Sequence, residues 1–147
     1  MSTVKKLNTK AVIIGWLVDI AGSFMAGIFI SIVAGVILTA RGVSPDQITE
    51  ELSGSKVFWN ISLFTGFSFT FLGGYISAFI ADSGEIKHAL IVGILSLITG
   101  LLLSSITQPP ESNLFLISIF VIPFAVLGGY FRKITKKDKQ DKRPHSL

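Results

Sequence analysis

The sequence predicts an all-α, transmembrane four-helix bundle, and three observations carry that prediction. Half of the 147 residues are hydrophobic and only 15% are charged. Mean hydropathy is +0.67, far above what a soluble surface tolerates. The charges gather in the two ends and in three short connections. Between them lie four apolar stretches, at about 11–40, 57–81, 86–107 and 113–131. Each has about the 20 residues that cross a hydrocarbon core of roughly 30 Å. The whole chain, 1–147, reads as a single integral membrane domain ending in a basic tail at 132–147.

The first stretch follows Lys5, Lys6 and Lys10 as a secretory signal would, but it runs on to Ala40 without a cleavage pattern. It is read as a retained span. At about 1.5 Å per residue it reaches about 45 Å and must tilt or project. The connection after it holds Ser44, Pro45, Asp46 and Gln47, a cap residue with proline and glutamine at helix-start positions. This predicts a short helix through about Leu52, ended by Gly54, with the second span starting near Lys56. Trp59 then falls at an interface, where an indole sits between apolar and wet layers.

Basic residues near span ends are held in the cytoplasm. With four spans, the N-terminus, the Lys87 connection and the tail share one side and hold all of the Lys and Arg except Arg41 and Lys56. Both termini are therefore expected inside, in the inner (plasma) membrane. The 41–56 connection and the turn at Gln108, Pro109, Pro110 and Glu111 are expected outside.

Small residues recur in register. Ala11 and Gly15, followed by Gly22 and Ala26, align without a gap to Ala89 and Gly93, followed by Gly100 and Ser104. Span two closes on Leu72, Gly73, Gly74 and Tyr75, and span four on Leu127, Gly128, Gly129 and Tyr130. Two parallel-repeat hairpins produce this pattern, and so does chance recurrence in packed spans. In lipid, helices associate through close backbone approach at such positions. Stripes including Gly15, Gly22, Gly66, Gly73, Ser77, Gly93, Ser96 and Gly100 are thus expected to line the interior, with most Phe, Ile, Leu and Val turned to lipid.

Asp19 lies on the first stripe, between Gly15 and Gly22. Nine residues past Lys10, it stands about 14 Å into the membrane. An ionised carboxylate there costs several kcal/mol, so it is expected to be protonated or to meet water, a cation or a strong donor. Matched depth places Gly73 and Pro123 at its level. Pro123 leaves the carbonyl of Ile119 without a helical donor, a place for a hydrogen bond from Asp19. Asp19 is read either as interhelical glue or as a proton or cation site. The first weighs more, because no second acid, histidine or basic partner lies at that depth. The candidate intramembrane site is Asp19, Gly15, Gly22, Gly73, Gly74 and Pro123.

His88 opens span three beside Lys87 and is expected to be solvated, with pH sensing as the sharper alternative. In the tail, Arg132, Lys133, Lys136 and Lys137 are candidate contacts for anionic lipid headgroups at the cytoplasmic face. The tail lacks the interleaved aromatics of a nucleic-acid module. There is no cysteine, His145 and His88 lack ligands at metal spacing, and no phosphate loop or paired catalytic carboxylates occur. No cofactor, metal or enzyme chemistry is expected.

Asp19 to Ser23 reading DIAGS, the Ser44 to Gln47 connection, Leu72 to Tyr75 reading LGGY with Ala78 and Ala81, and His88-Ala89 together resemble a family of small four-span bacterial integral membrane proteins of uncharacterised function. The resemblance covers most of the first three spans and implies the four-span fold without an activity. The chain is more distantly similar to small multidrug resistance transporters, four-span chains with an acidic residue in span one followed by glycine, here Asp19 and Gly22. It carries Asp where they carry Glu. The function expected first is that of a non-enzymatic structural or accessory protein, which self-associates or docks on a membrane assembly. The alternative is a proton-coupled small-molecule transporter using Asp19.

Overall fold

A computed structural model describes residues 7–107 and 118–141, which form five helices and no strand. In chain order these are α1 (Thr9–Ala40), α2 (Ile48–Gly54), α3 (Lys56–Ala81), α4 (Glu85–Thr107) and α5 (Val121–Asp141). Three of them, Thr9–Ala40, Lys56–Ala81 and Glu85–Ser105, are long and apolar enough to cross a bilayer.

Their ends follow from local chemistry. Asn8 caps α1, its Oδ1 accepting the Ala11 N–H at 3.2 Å. Gly42, at φ +86°, ends it. Ser55 caps α3 by accepting the Phe58 N–H at 3.3 Å. At the far end of α3, Asp82 adopts the left-handed conformation at φ 50°, and Gly84 follows at φ 65°. The short helix in the first connection starts later than expected. Ser44 Oγ donates to Gln47 Oε1 at 2.9 Å and the Gln47 N–H to the Ser44 carbonyl at 3.0 Å. The expected cap residues thus close a turn on each other, and the helix begins at Ile48.

α3 packs against α1, α4 and α5, and α4 packs against α1 and α5. Contacts Asn8 to His88 and Asp19 to Ser96 advance together, so α1 and α4 run the same way. Ring pairs Phe67 with Phe124 and Phe71 with Phe131 make α3 and α5 parallel as well. Gly15 on Gly73 and Asp19 on Thr70 make α1 and α3 antiparallel.

The fourth expected span, 113–131, lies outside the described residues at 113–117, as does the Gln108 to Glu111 turn. Its last residues open α5, which continues without a break to Asp141. Within the described residues, the basic tail is therefore a helical extension of that segment.

Candidate functional site

Asp19 is 4% exposed and its carboxylate is fully engaged. Oδ1 accepts from Thr70 Oγ1 of α3 at 3.0 Å and from Ser23 Oγ of α1 at 3.5 Å. Oδ2 accepts from Ser96 Oγ of α4. Three helices therefore meet on one side chain, and each supplies a hydroxyl, a group that a membrane helix carries without the cost of a charge. Gly73 makes the close approach possible. A Cβ there would stand 3.0 Å from Asp19 Cβ and 2.6 Å from the Gly15 carbonyl oxygen.

The Thr70 hydroxyl has one proton and two acceptors. Besides Asp19 it reaches the carbonyl of Gly66, one turn back, at 3.1 Å. With Asp19 ionised, Thr70 donates to the carboxylate. With Asp19 protonated, the acid can donate to Thr70 Oγ1, whose own proton then satisfies Gly66. Both protonation states leave Asp19, Thr70 and Gly66 partnered, so switching between them costs no orphaned hydrogen bond.

Asp19 also lines a cleft of about 350 Å³ that extends towards the start of α3. Hydroxyls of Ser23, Ser62, Thr70, Ser96 and Thr99 stand along it, among Phe24, Phe67 and Trp59. Thr99 accepts from the Trp16 indole N–H at 3.3 Å. In the opposite direction the interior is closed. Ala11, Ala78, Ala89, Val92 and Ala125 are 0% exposed, and glycines bring the backbones together. A Cβ on Gly74 would run into the Ala125 carbonyl, one on Gly128 into the Phe71 carbonyl, and one on Gly129 into Ala89. The carboxylate lines the cleft next to this closely packed side.

The residues singled out in the sequence separate here. Gly15 and Gly73 join Asp19 directly. Gly22 lies against the Phe69 ring, and Gly74 turns to α5. Pro123 lies on the exposed side of α5, and Ile119 is 50% exposed. The bond expected from Asp19 to the Ile119 carbonyl is replaced by the hydroxyl set, because α3 and α4 stand nearer to Asp19 than α5 does. Thr70 escaped the reading. Thr70 fills the gap in its helix's stripe between Gly66 and Gly73, a signal obscured by counting only Gly, Ala and Ser as small. Ser96 lies eight residues past His88, much as Asp19 lies nine past Lys10, and that matched depth was legible.

His88 is not solvated: it is 3% exposed. Its Nε2 accepts the Asn8 N–H at 2.9 Å and its Nδ1 faces the Gly84 carbonyl at 2.9 Å. The ring ties the start of α1 to the α3–α4 turn, with Nδ1 carrying the proton. Of the basic residues in α5, Lys133 and Lys137 are exposed. Arg132 stacks its guanidinium 4.4 Å from the Phe79 ring centroid. Lys136 Nζ pairs with Asp82 Oδ1 at 2.8 Å and approaches Glu85 Oε1 at 3.5 Å. Its hydrogen bond to Asp82 holds the ammonium above the ordinary lysine value of 10.5. Lys136 therefore serves the α3–α4 turn before any headgroup. Compared with protein-family models, with curated proteins and with solved structures, the chain matches none.

Proposed function

We propose that this chain is a non-enzymatic, four-span inner-membrane protein with both termini cytoplasmic, and that it works as a proton-coupled carrier of a small solute. Asp19 exchanges a proton for a solute that enters by the cleft. The observation that carries this reading is the cleft that Asp19 lines combined with the Thr70 hydroxyl, which partners the acid in either protonation state. An intramembrane acid facing a cavity marks an ion pathway more often than a lipid-facing one does. The alternating helix directions and the basic residues at one end support four spans and the inside placement of both termini.

Reconstituted protein tests this by infrared titration. The protonated-carboxyl band of a membrane acid should appear and vanish with bulk pH in the wild type, and be missing in Asp19→Asn of unchanged fold. A band indifferent to pH, or wild-type behaviour of the Asn variant in every assay, would sink the carrier reading. Reporter fusions placing either terminus in the periplasm would sink the topology.

A second reading, a structural or accessory subunit, is supported by two observations. The same hydrogen bonds tie three helices together, and a Cβ on Gly27 would meet nothing within 4 Å among the described residues, leaving a small-residue face on α1 open to a second copy or another protein. Mild-detergent purification that brings down a fixed partner would favour it.

A further inference from the structure

Beyond the cleft at Asp19, α1 and α3 part company, and a second cavity of about 620 Å³ lies between them under α2. Its volume falls within the range of about 300–1,000 Å³ typical of ligand sites. The wall is hydrocarbon: Phe29, Val33 and Ile37 of α1 face Val57 of α3, and all four are more than 40% exposed. At its α2 end the lining changes to two opposite charges, Arg41 and Glu51. Their side chains share the cavity without forming an ion pair, and neither has a hydrogen-bond partner among the described residues. Two charges of opposite sign, unpaired among the described residues, at one end of an apolar groove are the complement of an amphiphile that carries both charges on its head and hydrocarbon behind it.

We propose that this groove binds one phospholipid whose headgroup holds a phosphate and a primary ammonium. Arg41 takes the phosphate, for which its planar fork is suited. Glu51 takes the ammonium, and one acyl chain lies along Phe29, Val33, Ile37 and Val57. Charge complementarity sets the preference: a purely anionic headgroup satisfies Arg41 and meets Glu51 with repulsion. Placement of Arg41 at the end of α1 and of Glu51 in α2 puts both at headgroup level, because α1 and α3 are long enough to cross the bilayer on which the site borders.

Native mass spectrometry of the full chain released from vesicles of equal phosphatidylethanolamine and phosphatidylglycerol tests it. The wild type should retain one lipid per chain, with phosphatidylethanolamine favoured roughly tenfold. Glu51→Gln should bring the two lipids to parity, and Arg41→Gln should reduce retention of both. Both residues are exposed, so the fold is not at stake. Ala34→Trp, which fills the groove, should abolish retention. Equal retention of the two lipids by the wild type, an unchanged ratio in Glu51→Gln, or a lipid-free dimer seated on this face would overturn the proposal. None of these readouts depends on Asp19.

Discussion

On one side of Asp19, towards the α3–α4 turn, α1, α3, α4 and α5 touch backbone to backbone. On the other, towards α2, α1 and α3 diverge around two cavities. Both halves are apolar, so hydrophobicity does not explain the difference. Small residues occur in both halves, and their surroundings differ. Gly15, Gly73, Gly74, Gly128 and Gly129 have backbone or Cβ atoms where their own Cβ would be, whereas a Cβ on Gly27, Gly66 or Gly100 would meet nothing within 4 Å among the described residues. In lipid, where no water drives association, the approach of two backbones decides whether helices hold together. Where the Phe69 ring occupies the space at Gly22, that approach ends, and the cleft begins at the same level. Among the described residues, the closed half is the more closely packed and the open half holds the two cavities.

The largest expected effect falls in the closed half. Gly74→Leu or Gly128→Leu drives a side chain into the facing backbone, which has no rotamer to yield. Loss of about 4 kcal/mol or of the folded chain is expected, read by equilibrium unfolding in micelles. The same change at Gly27 should leave unfolding almost untouched; equal damage at both places would end the comparison. At the boundary, Asp19→Leu removes three hydrogen bonds and should cost about 2 kcal/mol, since each hydrogen bond in a membrane contributes about 0.6 kcal/mol and at most about 1.7 kcal/mol. Asp19→Asn, able to accept and donate, should cost less than half of that in the same assay.

A smaller gain is expected at Ser77. Its Oγ is buried at the α1–α3 contact without a hydrogen-bond partner among the described residues, so Ser77→Ala should raise stability by about 1 kcal/mol. An effect of opposite sign would show that the hydroxyl finds an acceptor. At the rim of the closed half, Lys136 has a folded value raised above 10.5. Its contribution is therefore complete below 10.5 and is lost as pH rises through the folded value. The melting-temperature difference between wild type and Lys136→Met should stay level from neutral pH to about 10 and shrink above it. The smallest effect belongs to Gly66→Ala in the open half, a gain of about 0.5–1 kcal/mol, because helix propensity alone changes there. A loss of several kcal/mol would mean that the cleft wall is packed after all.

Much of this was legible in the residues. Span limits near Ala40, Lys56 and Ala81 follow from Gly42, Ser55 and Asp82, whose conformational and capping preferences act over one turn. The interior placement of Asp19 follows from its helical spacing to Gly15 and Gly22. The Pro123 partnership did not survive: depth along a helix is readable from counting, but the rotation that points a residue at one neighbour or another is not. His88 became a buried tie for the same reason, since Asn8 is 80 residues away and only the parallel course of α1 and α4 brings its N–H to the ring.

The sequence alone determined which segments avoid water, because transfer to lipid depends on a run of side chains taken one by one, and it determined that Asp19 must face inward, because a carboxylate among acyl chains has no partner. Only the tertiary structure decided which hydroxyls receive Asp19 and that the cleft it lines stands next to a closely packed side. Those depend on how far apart the backbones stand, a distance set jointly by facing residues on different helices.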